Sequence, residues 1–181
     1  ESDVLGRMLG AAREADADIV VRVTGDCPLV APEIIDAIVE RLLETEADYV
    51  SSGLERTFPR GLGAEALTFD SFEAVDRKAS KPYEREHVTT YYQEYPDQFD
   101  IENVESTDVF DNERYHDRTD LRLTLDEADD YELFRRVYSG IDWTGIIDVR
   151  DAIDYIDKHN LADINDHIQQ LTLEGVKNDA G

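Results

Sequence analysis

Lysine is scarce in this chain of 181 residues, with only 4, at positions 78, 81, 158 and 177. Arginine brings the cations to 18 against 43 Asp and Glu, a formal charge of −25. That shortage excludes a general nucleic-acid binder, which needs a basic patch to displace counterions from phosphates. Basic clusters reach only two residues, as at Arg135-Arg136. Cysteine is scarcer still: Cys27 stands alone, so no internal disulfide can form. Four scattered histidines without a CxxC or HExxH pattern leave no zinc framework. No apolar run approaches the roughly 18 to 20 residues of a membrane span, and the expectation is a protein without a signal peptide. A cytoplasmic protein with neither nucleic-acid nor membrane partners is the simplest expectation.

What is present is enough for a packed core, with 41% hydrophobic and 9% aromatic residues in repeated amphipathic runs. No repeat, low-complexity stretch or linker divides the chain, so residues 1–181 read as a single domain. The acids are spread evenly and 14 of the 18 cations are arginine, a surface that suits a salt-loving organism. In molar salt the Debye length falls to about 3 Å and screens the self-repulsion. An acidic mesophilic protein is the alternative.

Periodicity sets out the elements. Residues 4–13 read as a helix, and Ile19-Val20-Val21-Arg22-Val23 as a strand buried on both faces. Pro32 and Glu33 open a helix carrying Ile34, Ile35, Ile38, Leu42 and Leu43, followed by a short strand at Tyr49-Val50-Ser51. This β-α-β order implies a largely parallel sheet covered by helices. Gly53, Pro59, Gly61 and Gly63 mark a long loop containing Arg56 and Arg60, which leads into a strand at Glu65 to Thr68. Asp70 and Glu73 suggest a capping box before a helix over 71–79, and a helix after Pro82 would align Val88, Tyr91, Tyr92 and Tyr95. Those tyrosines suit either the core or a dimer surface. Ile101 to Val104 is a weak strand, 107–120 a loop, and Leu121 to Leu125 an alternating strand. Three helices close the chain: one around Tyr131 to Tyr138, one capped by Asp148, and one carrying Ile164, Ile168 and Leu171.

Asp26 and Asp126 stand out because each follows the carboxyl end of an expected strand, where open α/β sheets bind ligands. Two carboxylates there could hold Mg²⁺, whose remaining positions go to water and phosphate oxygens. The alternative is that Asp26 caps a turn and Asp126 the helix after it. Cys27 lacks a basic neighbour in sequence and reads as a packing residue.

Arg22-Val23-Thr24-Gly25-Asp26-Cys27-Pro28-Leu29 resembles the signature of the sugar cytidylyltransferase superfamily, especially its spore coat polysaccharide biosynthesis protein F branch. The resemblance continues in register through Asp3 to Arg7, Pro32 to Asp36, Thr57 to Leu62 with Glu65, Arg85 to Thr89, Arg122 to Asp126, and Asp130. It implies a nucleotide-diphosphosugar transferase fold, Rossmann-like, with a mixed, mostly parallel sheet and helices on both faces. The implied reaction transfers CMP from CTP, or another NMP from its triphosphate, to a sugar for surface polysaccharide, releasing pyrophosphate. By the same resemblance Asp26 and Asp126 would be catalytic Mg²⁺ ligands, and Arg22, Thr24 and Gly25 would bind nucleotide. Arg60, Gly61, Glu65, Arg85, Glu86, His87 and Arg122 would bind substrate. Plainer roles stay open: Arg85 and Glu86 could pair at a helix end, His87 could be structural rather than a base, and Arg22 and Arg122 could sit in ion pairs.

Family members begin with a strand and a Gly- and Arg-containing loop that grips the triphosphate, and no such Gly-rich loop occurs here. The expectation is therefore the carboxy-terminal two thirds of the domain, with the first strands missing, inactive alone, and with a homodimer partner to cover the apolar faces left. A noncatalytic sugar- or nucleotide-binding module is the competing reading.

Overall fold

The computed structural model describes residues 3–169. Its centre is a four-stranded sheet of β1 (Ile19–Arg22), β2 (Tyr49–Ser51), β3 (Glu65–Thr68) and β4 (Ile101–Asn103), in the order β1-β3-β2-β4. β2 pairs parallel with β4, while β3 runs antiparallel to both β1 and β2. Three strands thus share one direction, but two of the three strand pairs are antiparallel, so the sheet is mixed rather than mostly parallel. The single reversed strand lies inside, so β1 and β2 do not touch.

Side-chain alternation sends successive residues to opposite faces. Tyr49, Leu67, Val20 and Ile101 point into one apolar cluster, Val50 and Ala66 into another. The first cluster is covered by α1 (Val4–Glu14) and α3 (Phe69–Lys78), with α4 (Pro82–Glu86) and α5 (Thr90–Glu94). The second is covered by α2 (Pro32–Thr45), α7 (Ala128–Gly140) and α8 (Val149–His159), and by the short α6 (Ser106–Val109). Helices therefore flank both faces. Among the described residues no helix is long and apolar enough to cross a membrane.

Several local expectations change. β1 is an edge strand, and Val21 and Val23 remain 38% and 41% exposed rather than buried on both sides. α3 starts earlier than the Asp70 signal implied, because the Thr68 hydroxyl accepts from the Ser71 N–H at 3.3 Å. Glu73 is instead committed to Arg13 and Arg77. The stripe after Pro82 is not one helix: Val88, with φ of 56°, breaks it into α4 and α5. A β-branched residue in the left-handed region is strained, on the order of 1–3 kcal/mol. The break still buries Val88, Tyr91 and Tyr92, and Tyr92 stacks on Tyr49 at 4.5 Å, so these tyrosines are core.

Leu121–Leu125 is extended but joins no named strand. Its amides and carbonyls meet loops: Arg60 N–H donates to Leu121, Leu123 N–H to Arg60, and Leu125 N–H to Asp26. The loop over 107–120 holds the end of α6 and a 3₁₀ turn at Glu113–Tyr115. Where a last helix was expected, Ala162–Ile164 forms one 3₁₀ turn and Ile168 lies outside it; Leu171 falls outside the described residues.

Ion pairs such as Arg13–Glu73 and Arg136–Glu132 keep roughly half of the arginine exposed, and the excess acid has no such partner. Screening should then stabilise the protein. Raising KCl from about 0.1 M to about 2 M is expected to lift the thermal midpoint by about 5 °C or more. A flat or falling midpoint in a melting series would contradict this.

Candidate active site

Because β3 is reversed, the carboxyl ends of β1 and β2 and the start of β3 meet at one edge of the sheet. A cleft of about 270 Å³ opens there, walled by Arg22, Thr24, Asp26 and Cys27 after β1, Ser51 at the end of β2, and Gly63, Ala64 and Glu65 at β3. The β2–β3 loop adds Arg56, Arg60 and Gly61, and the extended segment adds Thr124. Gly61 has to be glycine: its φ is 96°, and a Cβ would overlap the Leu123 carbonyl.

Glu65 is the most heavily held acid of the cleft. Arg22 donates to its Oε2 at 2.5 Å, and the Tyr49 and Thr89 hydroxyls donate to Oε1 at 2.5 and 2.8 Å. Burial first, and then the Glu65 charge, push the Tyr49 hydroxyl well above its usual range, so it stays a donor. The backbone break at Val88 is what turns Thr89 toward this carboxylate.

Asp26 and Asp126 are brought together by the Leu125 N–H, which donates to the Asp26 carbonyl at 2.8 Å. The thiol of Cys27 senses both carboxylates and, chiefly through burial, is pushed up, so it remains a neutral packing group beside Thr24. Asp126 does not cap α7. Glu127 occupies that position, and Asp130 reaches back to accept from the Asp126 and Glu127 N–H groups, each at 3.0 Å. The Asp126 carboxylate is thereby left at the surface, 38% exposed, accepting from Arg122 at 2.7 Å.

Arg122 is itself buried. It donates to Asp130 at 2.9 and 3.0 Å, and Asn165 Nδ2 bridges the Arg122 carbonyl and Asp130 Oδ1 at 3.0 and 2.8 Å. Burial raises the Asp130 carboxyl, but Arg122, Asn165 and the two backbone donors outweigh it and hold the group at about 2. Nothing in the sequence around Asn165 signalled this contact.

Of the residues singled out from sequence, Arg22, Thr24, Asp26, Arg60, Gly61 and Glu65 line the cleft together. Asp126 and Arg122 lie close enough to act electrostatically on Arg60. Gly25 follows Thr24 at the exposed turn, with open space beside it. Arg85 is committed elsewhere, joining the α1 cap Asp3 to Asp76 of α3. Glu86 is exposed and His87 half-buried, and neither lines the cleft. Arg56, Ser51 and Thr124 are cleft residues that the sequence reading had not assigned.

The network gives a stability test. Asp130→Ala removes the buried partner of the Arg122 guanidinium, leaving it the half-exposed Asp126, and should cost about 3 kcal/mol in urea denaturation; a loss below about 1 kcal/mol would deny the pair its role. The folded carboxyl titrates near 2, below its ordinary 3.8. Its contribution is therefore complete above about pH 4 and is lost as pH falls through 2.

Comparison with known proteins shows the family. Residues 1–160 match the profile of a family described as cytidylyltransferase. The chain is 35% identical over 178 residues to the uncharacterized protein MJ1063 of Methanocaldococcus jannaschii, covering 98% of this chain and 69% of that one. It is 27% identical over 139 residues to the spore coat polysaccharide biosynthesis protein SpsF of Bacillus subtilis, covering 76% of this chain and 54% of SpsF. A solved cytidylyltransferase from Leptospira borgpetersenii superposes with a TM-score of 0.79 at 31% identity, covering 94% of this chain and 68% of that one. The chain belongs to the cytidylyltransferase family and is a cytidylyltransferase-like nucleotidyltransferase of mixed α/β fold.

Proposed function

We propose that the protein transfers CMP from CTP to a hydroxyl of a sugar destined for surface polysaccharide. The observation that carries this is the pairing of the Asp26 and Asp126 segments through the Leu125 N–H, at the strand ends where α/β sheets bind ligands. The name of SpsF, a spore coat polysaccharide biosynthesis protein, supports the destination.

The donor set fits Mg²⁺. Among the described residues the Asp26 carboxylate meets only the Cys27 thiol, at 3.9 Å, and Asp126 is half-open. Among the described residues no group of three or more His, Cys, Asp or Glu is arranged as a metal cage. One or two carboxylates, with phosphate and water completing the shell, is how Mg²⁺ is commonly held. Bound there, Mg²⁺ would offset the charge of the triphosphate and so remove the repulsion that two bare carboxylates would exert.

In the reaction the acceptor oxygen attacks the α-phosphorus, its proton is lost, the α–β anhydride bond breaks and pyrophosphate leaves. Glu65, fixed by Arg22, Tyr49 and Thr89, has lone pairs to accept from sugar hydroxyls and orient them. Arg122 positions Asp126, while Asp130 supports Arg122 from behind.

The test is pyrophosphate release by the protein expressed from its complete gene, with CTP, Mg²⁺ and a panel of sugars. Asp26→Asn and Asp126→Asn should each lower turnover by more than about a hundredfold, with the circular dichroism spectrum unchanged. Near-normal turnover in either variant removes that residue from the site, and no release across the panel removes the function.

A further inference from the structure

Apolar side chains left at the surface gather in one stretch of the chain. Of the seven large apolar side chains that stay exposed among the described residues, four lie between positions 125 and 146: Leu125, Tyr131, Trp143 and Ile146. Tyr131, on α7, is 62% exposed. With Leu125 it lines a groove of about 370 Å³ that also takes in Pro28, Arg135 and Tyr138. The groove is braced from within. The Tyr138 hydroxyl donates to the Pro28 carbonyl at 3.4 Å, and Trp143 stands edge-on to Tyr138 at 5.6 Å while its Nε1–H donates to the Tyr138 carbonyl. Tyrosine and tryptophan exposed beside arginine are what protein interfaces are enriched in.

This stripe carries its own complement. Glu127 at the cap of α7, Tyr131 and Arg135 are spaced four apart and so follow one face of the helix. Tyr131 lies midway. A second α7 laid antiparallel about a twofold axis at Tyr131 sets each Glu127 against the other copy's Arg135 and brings each Leu125 level with the other copy's Tyr138. Both charges are available for this. Glu127 is exposed and stands in no ion pair among the described residues. Arg135 is 54% exposed and holds Glu132 through Nε and Nη2, which leaves it further N–H donors. Two copies that each carry a formal −25 repel, and a face where acid meets arginine in both directions offsets that repulsion where the surfaces touch.

We propose that the outer face of α7, with the groove that holds Leu125, is a twofold interface with a second copy of this chain, helix against helix and antiparallel, with Tyr131 at its centre. The interface lies beside the cleft and shares none of its lining residues. It is nevertheless close to the candidate metal ligands in sequence, because Pro28 follows Asp26 by two residues and Leu125 immediately precedes Asp126. Association therefore covers the outer side of the two segments that the Leu125 N–H joins. The interface stands whether or not the cleft transfers CMP.

Sedimentation velocity reads the association directly. The protein expressed from its complete gene, at about 10 μM in about 0.5 M KCl, should sediment as a dimer, since such salt screens the long-range repulsion more than contacts at bonding distance. Tyr131→Asp and Arg135→Glu should each raise the dissociation constant about tenfold or more, with the circular dichroism spectrum unchanged. Glu127→Arg should do the same. Combined with Arg135→Glu it should restore the dimer, because the twofold contact then holds the same pair reversed. A folding defect cannot produce that rescue. A dimer that Tyr131→Asp and Arg135→Glu leave intact overturns the proposal, and so does a double variant no tighter than either single one. A monomer overturns it as well: if Tyr131→Asp then lowers Tm, another part of the same polypeptide covers the face, and if Tm is unchanged the face serves a different protein or none.

Discussion

The buried pair of Arg122 and Asp130 is the constraint around which this edge of the sheet is arranged. Asp130 is 0% exposed and accepts from a guanidinium, two backbone amides and an asparagine, so nearly every lone pair is used. A charge taken from water is tolerated only when matched this fully. The match joins three parts of the chain distant in sequence: the extended segment after Leu121, the first turn of α7, and Asn165. It also frees Asp126. With Asp130 serving the amino end of α7, the carboxylate four residues earlier has no capping duty and stays at the mouth of the cleft.

The second organising feature is the reversed strand between β1 and β2. An all-parallel arrangement would have set strand ends alone along the ligand edge. Reversal of β3 adds the start of a strand, and with it Glu65, to the ends of β1 and β2. Arg22 and Glu65 are directly paired in register, which is why their side chains can meet.

Much of this could be read from the chain in advance, and the reasons are local. Helices with strong apolar stripes and clear starts, such as the one opened by Pro32 or by Asp148, lie where the pattern put them. Asp26 was legible because strand-end position and motif agree, and Arg60 and Glu65 because their motif runs through the loop and strand start that reach the cleft. The misses are tertiary. The alternation of Leu121 to Leu125 is a strand's, yet only loops are available to pair with it. The stripe from Val88 to Tyr95 is a helix's, yet Thr89 is drawn to Glu65 and the backbone turns at Val88. Asn165 acts on residues 43 and 35 positions away, a distance at which no periodicity carries information. Arg56 looked like any polar loop residue, since its distinction is the absence of a partner, which only coordinates reveal.

Arg56 and Arg60 line the cleft of a molecule of formal charge −25, and that contrast bears on rates. At long range an anion approaching this protein feels repulsion, and at the cleft it meets the guanidinium groups of Arg56 and Arg60. In dilute buffer the encounter is slowed by the outer field, which extends about 10 Å at 0.1 M salt. Molar salt shrinks that range to about 3 Å while leaving contacts inside the cleft less affected. Acidity that would hinder capture of an anion in dilute solution thus becomes nearly invisible to it in brine.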